Sequence, residues 1–132
     1  MISDKMKGFL EATGRAFVAS ADADGQPHLA VGQELKVPDE DHVVFEAWFC
    51  PKTLENVADN PLVAVVVLES SSGIGYQLAG RVEETAEVGI LDGFVPGEKS
   101  GMPQVESRLI IRILSLMEFS QGAHNDHAIR LE

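Results

Sequence analysis

The sequence predicts a mainly β chain with a few short helices, closed or nearly closed into a six-stranded antiparallel barrel. Three observations carry that expectation. Short apolar runs recur along the chain, separated by clusters of Asp, Pro, Gly and Ser, the pattern of strands joined by hairpins. Helical spacing is confined to two brief stretches. Finally, the runs at 62–68 and 109–116 are apolar at successive positions, so both faces of those strands want cover.

The elements follow in order. From Ser3 to Thr13 the residues Met6, Phe9 and Leu10 recur at helical spacing, Ser3 can cap the start and Gly14 can close the end. The runs AFVAS and HLAV then form a hairpin about Asp22-Ala23-Asp24-Gly25, where glycine can take a positive φ. Pro38 to Asp41 is a second turn leading into a strand from His42 to Ala47. A short helix is expected at 52–59, with Pro51 in its first turn, Leu54, Val57 and Ala58 as its apolar stripe, and Asn60-Pro61 ending it. Leu62 to Leu68 is the next strand, followed by the loop SSSGIG and a strand from Tyr76 to Glu84. A less regular region covers Glu87 to Pro103, a long strand runs from Val105 to Phe119, and residues 120–132 are expected to be a loosely held tail. In the last strand Leu109, Ile111 and Ile113 share one face, and Ile110, Leu114 and Leu116 the other. One barrel interior hides one face of each strand, so a homodimer is the expected cover for the second.

Length and charge bound the function. A chain of 132 residues suits a single domain, 1–132, and can bury its own core. With 21 acidic and 10 basic residues the net charge is −11, which argues against nucleic acid and anionic membrane surfaces as partners. No apolar run approaches the length that crosses a bilayer, and MISDKMKGFLEATG has no apolar signal region. Together with a single cysteine, Cys50, that cannot form an internal disulfide, this gives a cytoplasmic expectation.

An anion held by so acidic a chain needs a few well-placed donors. Lys52 and Thr53 stand at a helix start, where free backbone N–H groups and the positive end of the dipole favour negative charge. The plainer alternative is that Thr53 caps the helix and Lys52 is solvated. Asn56, one turn on, reaches toward the same anion or is a surface residue. Gly32 interrupts a strand, marking either a barrel bend or a close approach of ligand to backbone. Trp48, the sole tryptophan, either stacks on a ligand or belongs to core or interface. His124, Asp126 and His127 lie in the tail and read as solvated, so no metal site is expected, and Cys50 reads as a small buried hydrophobe.

The order of these elements, and above all the segments "DGQPHLAV", "CPKTLENVADNP" and "GYQLAGRVEE", resembles the pyridoxamine 5′-phosphate oxidase-like FMN-binding split-barrel superfamily, especially its small bacterial FMN-binding proteins. The resemblance spans roughly residues 9–119 and implies a six-stranded antiparallel split barrel with FMN as cofactor. By position, it implies that Lys52 and Thr53 hold the flavin phosphate. Ala30, Val31 and Gly32 would lie along the isoalloxazine, and Ala47 and Trp48 would flank it. It further implies a flavin-dependent oxidoreductase with a small-molecule redox partner. The alternatives are an electron-carrying flavin module and a barrel binding another ligand, such as haem held by His28 or His42. The ending HNDHAIRLE lacks the Arg and Trp segment with which the oxidase proper recognises its substrate, so that activity is not expected.

Overall fold

A computed structural model describes residues 1–91 and 104–129. Its elements are α1 (Asp4–Thr13), β1 (Arg15–Ala21), β2 (Pro27–Asp39), β3 (His42–Trp48), α2 (Pro51–Asp59), β4 (Leu62–Glu69), β5 (Ile74–Leu91) and β6 (Gln104–Ser120). The strands form a closed antiparallel barrel in the order β1-β2-β3-β6-β5-β4, sealed by β1 against β4.

Local chemistry sets the joints as the sequence predicts. The Ser3 hydroxyl accepts from the Met6 amide at 3.2 Å, and Gly14, at φ 66°, ends α1 in the left-handed region. Asp22 closes the first hairpin by accepting the Asp24 and Gln26 amides at 2.9 Å each, with Gly25 at φ 85°. Two boundaries differ. The strand β2 runs on to Asp39, with Pro38 beside the register shift between Lys36 and Asp39, where a missing N–H breaks no regular ladder. The β5 strand extends past Glu84 to Leu91, because bulges at Val82/Glu84 and Glu87/Gly89 keep it paired with β6 where hydrophobic alternation fades. Most of the predicted irregular region, 92–103, lies outside the described residues.

Val18, Val43, Phe45, Val65, Val67, Leu78, Leu109 and Ile111 fill the barrel. Each fully buried side chain of this kind contributes about 1.5–3 kcal/mol. The expected facing of β6 fails at one point. Gly80 pairs with Ile113 but Ala79 with Ser115, so Leu114 bulges out and the alternation changes phase, turning Leu116 into the core. Outside, Leu29 (63% exposed) and Val31 (56%) of β2 lie beside β1, where Val31 pairs with Phe17, and Leu62 of β4 is exposed as well. The tail is pinned at Ile129, which packs on the core and whose amide donates to the Leu116 carbonyl at 2.7 Å. Its last residues, 130–132, lie outside the described residues.

Candidate functional site

Strands β2 and β3 lose their regular alternation side by side, and a cleft opens there. Along β2, Leu29, Val31 and Gln33 face out while Ala30 and Gly32 face in. Glu34 then takes a φ of 58°, uncommon for a residue with a side chain, and the phase flips so that Leu35 and Val37 face the core. On β3 the pairing with β6 slips between Phe45 and Trp48. The slip carries the Trp48 indole inward, where it is 1% exposed and meets the Phe45 ring edge-on with centroids 5.1 Å apart. Its Nε1–H donates to the Cys50 carbonyl at 3.1 Å. Gly32 lies beneath these rings: a Cβ there would overlap the Trp48 ring and come within 2.9 Å of Phe45. Glycine is thus required by a close approach of aromatic core to backbone.

Outside this junction is a cleft of about 440 Å³ lined by Arg15, Val31, Gly32, Ala47, Phe49 and Cys50, within the usual range for small-molecule sites. It unites three of the sequence candidates, Val31, Gly32 and Ala47. Ala30 and the Trp48 ring instead belong to the barrel interior.

The helix α2 begins directly after Cys50. Cys50 is the capping residue yet supplies no side-chain hydrogen bond, and Pro51 has no N–H, so the first-turn amides of Lys52 and Thr53 lack a side-chain cap. The alternative in which Thr53 caps the helix is not realised, since Cys50 holds the cap position. The Thr53 side chain is fully buried, and its hydroxyl has no hydrogen-bond partner among the described residues. Lys52 is half exposed, its Nζ 3.8 Å from a Glu55 carboxylate oxygen, a loose surface pair. The buried face of α2 is Thr53, Asn56 and Val57, rotated from the predicted stripe of Leu54, Val57 and Ala58. The rotation has a polar cause, since the Asn56 amide donates to the buried Ser20 hydroxyl of β1 at 3.1 Å. Asn56 therefore ties the helix to the barrel and is no surface residue.

Two histidines were candidate ligands. His42 has Nδ1 2.9 Å from Asp39 and Nε2 3.2 Å from Glu83, so carboxylates occupy both nitrogens. Its bond to Asp39 holds its pKa above the ordinary imidazole value, while that bond in turn holds Asp39 low, and Arg112 holds Glu83 low. His28 is half-buried with Nε2 3.4 Å from the Cys50 sulfur, at the edge of the cleft. In the tail, His124 pairs with Asp126 at 3.3 Å. Arg15, Gln33 and Phe49 line the cleft unannounced by any motif; only the register, which sets Arg15 opposite Gln33, brings Arg15 there.

A closed six-stranded antiparallel barrel with a cleft beside a helix start that lacks a side-chain cap defines the class, a split-barrel protein. The pyridoxamine 5′-phosphate oxidase profile matches residues 2–130, and the chain belongs to that family. It is 28% identical over 110 residues to an uncharacterized protein of Methanocaldococcus jannaschii, covering 80% of this chain and 73% of that one. Among solved structures it resembles HupZ of Group A Streptococcus (TM-score 0.70, 22% identity, covering 95% and 99% of the two chains). It also resembles an FMN-binding protein of Syntrophomonas wolfei (0.66, 15%, 91% and 87%) and HutZ, the haem storage protein of Vibrio cholerae (0.57, 12%, 88% and 93%). At these identities the structural likenesses establish the fold.

Proposed function

We propose that the protein binds FMN, with the ring system against Val31, Gly32 and Ala47 and the phosphate at the start of α2. One observation carries this reading. The cleft ends at Cys50, next to a helix start whose first-turn amides lack a side-chain cap and whose Lys52 ammonium is half exposed, a donor set suited to a phosphate; the Thr53 hydroxyl, without a partner among the described residues, is buried just behind it. Membership of the family and the likeness to an FMN-binding protein support it. Trp48 acts by shaping the wall from within, and Asn56 by fixing the helix that presents the amides. Bound flavin would supply redox chemistry, and the polypeptide would hold the phosphate and govern access to the ring. The protein is then a flavin-dependent oxidoreductase with a small-molecule redox partner, working in the cytoplasm, where its single thiol stays reduced. It is a homodimer closed over the exposed apolar residues Leu29 and Leu62.

Absorption of the purified protein tests the cofactor. Two flavin bands support the reading, and a featureless spectrum after incubation with FMN removes it. A Soret band would favour the second reading, haem held by His28, the histidine beside the cleft, which the likeness to HutZ supports. NAD(P)H oxidation with added acceptors separates an enzyme from an electron carrier, and sedimentation at micromolar concentration reads the dimer.

A further inference from the structure

Arg15 belongs to two clefts at once. Besides the cleft of Val31 and Ala47, it lines a second one of about 630 Å³, walled by Phe9, Phe17 and Leu68 with Thr13 and Glu69 at its polar edge. The polar groups of this second cleft are mostly engaged elsewhere. The Thr13 hydroxyl donates to the Phe9 carbonyl at 2.9 Å, and Glu69 accepts from the Ser71 hydroxyl at 2.9 Å. Arg15 forms no ion pair among the described residues, although Glu69 lines the same cleft, whereas Arg108 and Arg112 are paired with Glu46 and Glu83. The result is an aromatic and aliphatic wall with one uncommitted guanidinium, next to the proposed flavin cleft, in a chain whose net charge of −11 repels anions elsewhere.

We propose that this second cleft is the substrate site and that it takes a monoanion with an apolar body, of the class of aromatic carboxylates. Phe9, Phe17 and Leu68 bury the body, and the planar fork of Arg15 receives the carboxylate. Glu69, at the β4 end, opposes any negative charge, so Arg15 offsets it for one carboxylate and not for a dianion. As substrate site the assignment rests on the flavin reading; as a binding site it stands on the cleft alone.

The test titrates calorimetrically, in stripped and FMN-loaded protein, with naphthoate and its neutral counterpart naphthylmethanol. The parent should bind naphthoate more tightly, by roughly 10- to 150-fold, the value of a hydrogen bond to a charged group. Arg15→Gln should bring naphthoate to the level of the alcohol, Arg15→Lys should recover part of the difference, and Phe17→Ala should weaken both probes together. Equal affinity of the two probes, naphthoate binding that survives Arg15→Gln, or binding of neither probe overturns the proposal. FMN affinity measured on the same samples keeps the two readings apart. Protein that takes naphthoate through Arg15 yet refuses FMN loses the flavin and keeps the anion cleft; protein that takes FMN and ignores naphthoate does the reverse.

Discussion

The two ends of β3 are built on opposite principles. At His42 the charged side chains pair with one another: Asp39 and Glu83 hold the imidazole, Arg112 holds Glu83, and Arg108 meets Glu46 at 3.0 Å further along. At Trp48 the backbone slips register, Glu34 on the neighbouring strand adopts a positive φ, the following helix lacks a side-chain cap, and a buried threonine hydroxyl has no partner among the described residues. Folding alone accounts for the first end. The second holds a positive φ and a helix start without a side-chain cap, features that the proposed phosphate would complete. Polar pairing thus differs between the two ends of one seven-residue strand, and the proposed site lies at the less paired end.

Changes at the Trp48 end should separate packing from binding, and the largest effect lies in packing. Trp48→Ala empties a fully enclosed indole and should cost about 3–5 kcal/mol in denaturant unfolding, with or without flavin. Gly32→Ala should cost about 1–3 kcal/mol, because the added carbon meets two rings that cannot both retreat. A neutral result there would show the cleft floor to be soft. Asn56→Ala strands the Ser20 hydroxyl and should cost a similar amount, about 1–3 kcal/mol.

Smaller effects concern strain and charge. Glu34→Asn puts a residue tolerant of the left-handed region at φ 58° and should raise stability by about 0.5–1 kcal/mol. No gain in the melt would mean that the conformation carries no strain. At the His42 end, the contribution of a raised imidazole pKa is full below the unfolded value of 6.5 and is lost as pH rises through the folded one. Asp39 and Glu83 are lowered, so theirs is present above unfolded values of 3.8 and 4.5 and is lost as pH falls through the folded ones. The network therefore stabilises most between those carboxylate values and 6.5. Melts across pH should show a decline above neutrality that His42→Gln flattens; identical profiles would make the network inert.

The sequence conveyed most where chemistry is local. The Ser3 cap, the Gly14 and Gly25 turns and the apolar run of β4 depend on residues within a few positions of each other, and the barrel follows from adding them. What escaped it depends on register between distant strands. The bulge at Leu114 that turns Leu116 inward, the slip that buries Trp48, and the meeting of Arg15 with Ala47 and Cys50 are settled by cross-strand fit, which periodicity does not encode. The α2 helix shows the same limit. Its apolar stripe pointed to Leu54 and Ala58, while a polar pair thirty-six residues apart, Asn56 and Ser20, determines which side faces the barrel. Of the residues placed at the cofactor, Val31, Gly32 and Ala47 line the cleft, and Lys52 and Thr53 stand at the helix start beside it.

The claim that the open end of β3 and α2 completes itself with the phosphate of FMN is tested most directly by titrating stripped protein with FMN, followed by flavin fluorescence quenching, in the parent, Lys52→Ala and Lys52→Glu. Removing the ammonium should cost roughly 10- to 150-fold in affinity, and reversing its charge against the helix dipole should cost more. Melts of the ligand-free forms should agree within about 0.5 kcal/mol, since a half-exposed helix-start side chain adds little to the core. Variants that bind FMN as tightly as the parent would contradict the account.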